Sequence, residues 1–298
     1  MKVDGVFAGG GVKAFAFIGA IETTERKGLE FERIAGTSAG SIVGALLMAG
    51  YKAHEIKQLL DELNVASLKD DRMSLLPFKV AKWINLYFRM GLYKGDKLEA
   101  WIKTFLNQKG INSFGDLPPG ALKVVVSDIT KGQMVVLPDD LPKYGINPER
   151  FSVARAIRMS CSIPFFFEPV KLHNKAVGSP PSYIVDGGLL SNFPMWLFKD
   201  GRNGTWKRPV IGFQLSPQID ERPTHKVKNA LDLYKAIFET MISAHDVRYI
   251  RAEHAKNIVF IPMEEIKATD FSLTEAEKDR MIALGAAKTT EFLTQWSG

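Results

Sequence analysis

Gly36-Thr37-Ser38-Ala39-Gly40 is the stretch on which the reading of this chain turns. It fits G-x-S-x-G, and its flanks suit a strand running in and a helix running out. Arg33-Ile34-Ala35 is short and largely apolar, and Ser41-Ile42-Val43-Gly44-Ala45-Leu46-Leu47-Met48 has helical composition. A serine on a tight strand-to-helix turn has its hydroxyl held up and exposed. The positive end of the following helix then lies beneath it, where developing negative charge is stabilised. The glycines permit strained backbone and close strand–helix approach. On this reading Ser38 is the nucleophile of a serine hydrolase. The competing reading is an ordinary turn built of small residues, because the pattern also arises by chance. The motifs around it have to separate the two.

Outward from the pentapeptide, strands and helices alternate. Residues 3–8, 33–36, 122–128, 133–137, 182–185, 209–215 and 257–261 read as strands. Residues 13–26, 41–48, 54–63 and 96–107 read as helices. Asp96-Lys97-Leu98-Glu99 has the spacing of a capping box. Asn147-Pro148 reads as the start of a helix through Arg158, with proline at its first position. Residues 226–255 read as one long helix or two, and Ser272-Leu273-Thr274-Glu275 as the cap of a last one. This alternation predicts an α/β fold, three layers deep, around a central and mostly parallel sheet. No internal repeat or long linker interrupts it. One domain over 1–298 is expected, with the motifs in a core at 3–215 and the elements of 226–298 packed on it.

Composition narrows the function classes. A hydrophobic content of 46% with 24% charged residues is that of a globular protein with a sizeable core. The net charge of +6 is mildly basic, no nucleic-acid signature in itself, and fits attraction to an anionic surface such as lipid. The single cysteine, Cys161, rules out a disulfide within the chain and a cysteine-based metal site. No apolar run approaches the ~18 residues of a membrane-crossing helix. No secretory signal is read at the N-terminus, so the expected compartment is the cytoplasm.

Acyl transfer by serine needs an activated hydroxyl, a base, and donors for the oxyanion. Gly9-Gly10-Gly11 follows the first strand, and successive backbone N–H groups without side chains can converge on an anion. The same run with Val12, Lys13 and Ala14 matches G-x-G-x-x-A, a weak sign of dinucleotide binding. The nucleophile turn on the very next strand disfavours NAD. The base is open between histidine and carboxylate. The five histidines, His54, His173, His225, His245 and His254, lack catalytic punctuation around them. Asp186 ends an apolar strand, Tyr183-Ile184-Val185, and precedes Gly187-Gly188. It could approach Ser38, or it could mark a plain strand–Asp-Gly turn.

Taken in order, these motifs resemble the patatin-like phospholipase family: a glycine-rich oxyanion loop (Gly9-Gly10-Gly11-Val12-Lys13), then G-x-S-x-G, then Asp186-Gly187-Gly188. Ala154 to Val170, ending Ser160-Cys161-Ser162-Ile163-Pro164-Phe165-Phe166-Phe167-Glu168-Pro169-Val170, is similar to the family's helix and Pro-Phe corner. The resemblance spans about residues 3–215. The chain has Lys13 where the family often has arginine, which keeps the charge and loses the planar fork, and Ala14 where glycine is frequent. The resemblance implies a Ser38–Asp186 dyad acting on phospholipid or another lipid ester, with an acyl-enzyme intermediate. It implies no metal or other cofactor. The oxyanion would be held at Gly9, Gly10 and Gly11, through the N–H groups of Gly10 and Gly11, with charge from Lys13. Acyl transfer to lipid or carrier, and a silent lipid-binding module, are the alternatives.

Two segments stand outside the alternation. Residues 73–93 are rich in aromatic and apolar side chains. From Arg72 to Gly95 there is no acidic residue and there are five basic ones, Arg72, Lys79, Lys82, Arg89 and Lys94. Val80, Trp83, Ile84, Tyr87 and Phe88 share one helical face, as in an interfacial membrane helix or, equally in pattern, a packed helix of the body. Phe165, Phe166 and Phe167 lie between Pro164 and Pro169 and read as a corner that lines an apolar substrate pocket or fills the core. Phe165, Phe166, Trp83 and Phe88 are therefore the candidate substrate contacts.

Overall fold

The computed structural model describes residues 1–62, 86–173, 180–200, 205–215, 256–263 and 273–296, with scattered residues between 227 and 241. In chain order its elements are β1 (Lys2–Phe7), α1 (Phe15–Arg26), β2 (Glu30–Thr37), α2 (Ala39–Met48), α3 (Ala53–Glu62), β3 (Gly91–Tyr93), α4 (Asp96–Gln108), β4 (Leu122–Asp128) and β5 (Gln133–Leu137). There follow α5 (Val153–Ser160), β6 (Phe165–Phe167), β7 (Val170–Leu172), β8 (Ser182–Asp186), the short β9 (Lys199–Asp200) and β10 (Thr205–Trp206), β11 (Val210–Gln214), β12 (Ile258–Phe260) and α6 (Glu275–Gln295).

The main sheet runs β12-β11-β1-β2-β4-β8-β7, with β5 on β4. The β12–β11, β11–β1, β1–β2 and β2–β4 pairs are parallel. Those of β4 with β5 and β8, and of β8 with β7, are antiparallel. The sheet is thus mixed, mostly parallel and flanked by helices. β1 and β11 are buried along nearly their whole length, as strands covered on both faces must be. The period of two divides their side chains between the two faces. Val3, Phe7, Ile34, Ile211 and Phe213 enter the larger core with residues of α1, α2 and α3. Val6, Ala35 and Val210 enter a smaller one with Phe193, Met195 and Phe198. Phe7 anchors the larger core, stacked on Phe213 at 4.8 Å and edge-on to Phe17 at 5.2 Å. α6 packs along α1.

The three helix starts read from capping signals differ from the sequence reading. Gly95, left-handed at φ 77°, precedes α4, so Asp96 and Glu99 lie inside its first turn, where their charge suits the helix dipole. The Asn147 side chain accepts from the Glu149 and Arg150 amides and makes a turn. Residues 149–152 are bonded to the 113–115 loop, and α5 starts only after Ser152, whose Oγ caps the Arg155 amide at 3.2 Å. In α6 the capping box is Thr274 with Glu277, two residues later than Ser272 and Glu275. The phenylalanine corner contains a short strand, β6, paired in parallel with β3. Most of the 226–255 helical segment lies outside the described residues, as do residues 73–85 with Trp83.

Candidate active site

The order of strands brings two distant residues together at one point of β4. Each strand has two edges. β5 occupies one edge of β4 along Val124–Asp128. The other edge is shared end to end. β2 runs along it in parallel as far as the Thr37–Val125 pair. β8 arrives antiparallel and stops at the Asp186–Val126 pair. The chain ends of β2 and β8 therefore face each other at Val125–Val126. Ser38 is the first residue after β2, and Asp186 is the last of β8.

Ser38 sits at φ 51° and ψ −127°, a backbone conformation uncommon for a residue with a side chain. Such conformations cost of order 1–3 kcal/mol and persist where the surroundings hold them. Here they do. The Ser38 amide donates to Ser160 Oγ at 2.8 Å. Its carbonyl accepts from the Ser41 amide at 2.8 Å and from Ser41 Oγ at 2.6 Å. α2 leaves immediately, crossing the end of β1 so closely that a Cβ on Gly40 would lie 2.3 Å from the Phe7 carbonyl oxygen. Ser38 is buried, as is Asp186, only 3% exposed.

The Asp186 carboxylate is held on one side. Oδ1 accepts from the Gly188 amide at 2.8 Å, and Oδ2 has no hydrogen-bond partner. Burial pushes the carboxyl up to about 6, while the Ser38 hydroxyl and the Gly188 amide act in the opposite sense. The Ser38 hydroxyl thus favours the ionised carboxylate, although no bond of normal geometry reaches Oδ2. Gly187 has no room for a side chain: a Cβ there would lie 2.1 Å from the Val125 carbonyl oxygen.

The glycine loop borders the same point. A Cβ on Gly9 would lie 3.2 Å from Ser38 Cβ and 2.4 Å from Asn192 Oδ1. The Gly9 amide, however, donates to the Asn192 carbonyl at 3.2 Å, which removes it from the set of oxyanion donors. Gly10 and Gly11 open the short helical turn Gly11–Ala14, whose first amides lack partners within the turn. The half-buried Lys13 closes it, its amide donating to the Gly10 carbonyl at 3.2 Å. His54 and His173 are exposed on the surface, and His225, His245 and His254 lie outside the described residues.

The aromatic candidates divide. Phe166 packs against Tyr93, ring centres 5.0 Å apart, and against Phe167. Phe165 is 43% exposed at φ 63°. Phe88 and its neighbour Tyr87 are 73% and 80% exposed, edge to face with one another. Sequence reasoning missed Ser160, Asn192 and Cys161 as neighbours of the site. Burial and the Asp186 charge raise the Cys161 thiol, and Ser41 and Ser38 act on it in the other direction. Their signal was faint, because Ser160 reaches Ser38 across 122 residues of chain. Among the described residues no group of three or more His, Cys, Asp or Glu could hold a metal ion.

Comparison with known proteins identifies the family and the fold. The family model for patatin-like phospholipase matches residues 5–199. The protein YqhO of Bacillus subtilis (strain 168) is 51% identical over 297 residues, the whole of both chains. Lysophospholipase NTE1 of Candida albicans is 30% identical over 196 residues, 64% of this chain and 12% of that protein. Among solved structures, VipD from Legionella pneumophila superposes with a TM-score of 0.56 at 17% identity, over 99% of this chain and 67% of VipD, a likeness of fold.

Proposed function

This chain belongs to the patatin-like phospholipase family, and we propose that it is a lipid acyl hydrolase of the phospholipase A or lipase type, with Ser38 as nucleophile and Asp186 as base. The observation that carries the proposal is the head-to-head arrival of β2 and β8 on one edge of β4, which sets Ser38 and Asp186 at the same point. In the proposed reaction Ser38 Oγ attacks the ester carbonyl while Asp186 takes its proton. The tetrahedral oxygen lies against the Gly10 and Gly11 amides at the N-terminal end of the Gly11–Ala14 turn, with Lys13 adding charge. The carbon–oxygen bond to the alcohol breaks, and the alcohol leaves with the proton from Asp186. Water then attacks the acyl-Ser38 ester, giving its proton to Asp186, and the fatty acid leaves as Ser38 is reprotonated. The dyad asks for no metal or organic cofactor.

Burial suits Asp186 to this role. A general base works best with its pKa near the working pH, and a carboxyl pushed up to about 6 is a stronger base than an exposed one. Only the ionised carboxylate can accept the serine proton. We therefore expect kcat/KM to rise about tenfold per pH unit below a midpoint near 6 and to level off above it. A pH–rate profile on a soluble ester checks this; a plateau extending down to pH 4 would contradict it.

The substrate class is tested by mass spectrometry of the products from mixed phospholipids, with Ser38→Ala protein as control. Ser38-dependent release of free fatty acid and lysophospholipid is expected. Acyl groups found only on an added alcohol acceptor would point to the transferase, and no Ser38-dependent product would point to a silent lipid-binding module. Peripheral membrane contact through 73–93 belongs to the same proposal, supported by the exposed Tyr87 and Phe88 beside exposed Arg89. No helix among the described residues is long and apolar enough to cross a membrane. Phe88→Ala is expected to lower flotation with anionic vesicles several-fold, and unchanged flotation would remove this part of the proposal.

A further inference from the structure

The segment Ser160-Cys161-Ser162, at the C-terminal end of α5, touches the backbone of both proposed catalytic residues. Ser160 Oγ accepts from the Ser38 amide at 2.8 Å and donates to the Val125 carbonyl at 2.7 Å. Two residues on, the Ser162 carbonyl accepts from the Asp186 amide at 2.9 Å. Ser160 and Ser162 are both fully buried. One short stretch of chain therefore holds the nucleophile by one end and the base by the other, with Val125 of β4 as its reference.

The stretch is itself fixed from behind by a buried guanidinium. Arg158 donates from one nitrogen to Ser162 Oγ at 2.5 Å. From another it donates to the Lys94 carbonyl and to the Glu168 carbonyl, the latter at 3.0 Å. Its central carbon lies 5.2 Å from the centre of the Phe167 ring. Ser162 Oγ returns a bond to the Arg158 carbonyl at 2.8 Å. A buried arginine with this many partners is held in one position, and the β3–α4 connection and the end of β6 are held with it.

We infer that Ser160 is a positioning residue of the proposed hydrolase, and that 160–162 acts as the spacer setting the distance and orientation between Ser38 and Asp186. This rests on the Ser38–Asp186 reading above. The strain at Ser38 explains why a spacer is needed. A residue at φ 51° relaxes unless its amide and carbonyl are both held. Ser41 holds the carbonyl side, and Ser160 is the partner on the amide side. Because Ser160 spends its hydroxyl on backbone, it neither touches substrate nor takes part in proton transfer. Its effect is expected in the chemical step and not in substrate affinity, since misplacing a reacting group by about 1 Å costs on the order of 100-fold.

The test is steady-state kinetics on full-length Ser160→Ala, with the active fraction counted by covalent titration of Ser38. Per active site, kcat is expected to fall roughly 10–100-fold with KM within threefold of the parent. Ser160→Thr, which restores a hydroxyl at the same place, is expected to recover most of kcat. Should the alanine variant fail to fold, Ser160→Cys carries the test, because it keeps the volume while its sulfur is a weak acceptor. A titrated kcat within twofold of the parent for Ala or Cys, or a change confined to KM, overturns the inference. A merely structural role would lower the active fraction and melting temperature and leave the titrated kcat unchanged. Ser38→Ala and Asp186→Asn run in parallel distinguish the two levels. If both are inactive while Ser160→Ala is not slowed, the spacer fails and the dyad stands; if either keeps near-parent turnover, the dyad itself fails.

Discussion

Ser38→Ala is expected to lower ester hydrolysis by roughly 10⁴-fold or more, a loss of about 5 kcal/mol or more in transition-state stabilisation, with the fold intact. The size follows from the role assigned to the hydroxyl, which forms the covalent bond; the neighbouring Ser41 and Ser160 hydroxyls donate to backbone carbonyls, and burial holds the Cys161 thiol protonated. The intact fold follows from the way Ser38 is held. Its contacts to Ser160 and Ser41 run through its amide and carbonyl, which alanine retains. Alanine also tolerates φ 51° no worse than serine, since both carry a Cβ. Circular dichroism and melting temperature should match the parent while turnover of a chromogenic ester disappears. Residual turnover within tenfold of the parent would place the chemistry on another residue.

Asp186→Asn is expected to remove activity on a similar scale and to stabilise the protein above neutral pH. The two effects have one cause. The folded-state carboxyl is raised to about 6 from an ordinary 3.8 by burial. The folded protein therefore binds this proton more tightly than the unfolded chain does. Between about pH 4 and 6 the unfolded chain has released the proton and the native state still holds it, so stability falls as pH rises through that window. Above 6 the full penalty is present, and below 4 it is absent. A difference of about two pKa units corresponds to on the order of 3 kcal/mol. Asparagine fills the same space without the charge. Its melting temperature should exceed that of the parent by several degrees at pH 8, the gap narrowing toward pH 4. An Asp186→Asn variant less stable than the parent at pH 8 would show that the carboxylate is better compensated than its single bond from Gly188 implies.

Most of the architecture was legible from local signals. The G-x-S-x-G turn, the glycine run after the first strand, and Asp186-Gly187-Gly188 each mark a place where backbone must bend or approach closely, and such places restrict the choice of residue. β4 and β5 were read with their observed ends because their apolar runs are bounded by turn residues. What stayed hidden depends on contacts distant in sequence. The start of α5 was read at Asn147-Pro148, a plausible cap, but bonds from 149–152 to the 113–115 loop hold that stretch out of the helix. β6 escaped notice because three phenylalanines between prolines carry no period, and its pairing with β3 joins segments more than seventy residues apart. The bond from the Gly9 amide to the Asn192 carbonyl joins residues 183 apart and carries no local signal. Ser160 could not have been singled out among neighbouring serines, because its role is defined by Ser38 and Val125, each from a different strand region.

Intact-protein mass spectrometry after exposure to a fluorophosphonate tests the Ser38–Asp186 pair most directly. The account predicts one adduct per chain, on Ser38, absent from Ser38→Ala, formed at least ~100-fold more slowly in Asp186→Asn, and appearing in the parent at a rate that rises with pH to a plateau above about 6. An adduct on another residue, or labelling of Asp186→Asn at the parent rate, would contradict it.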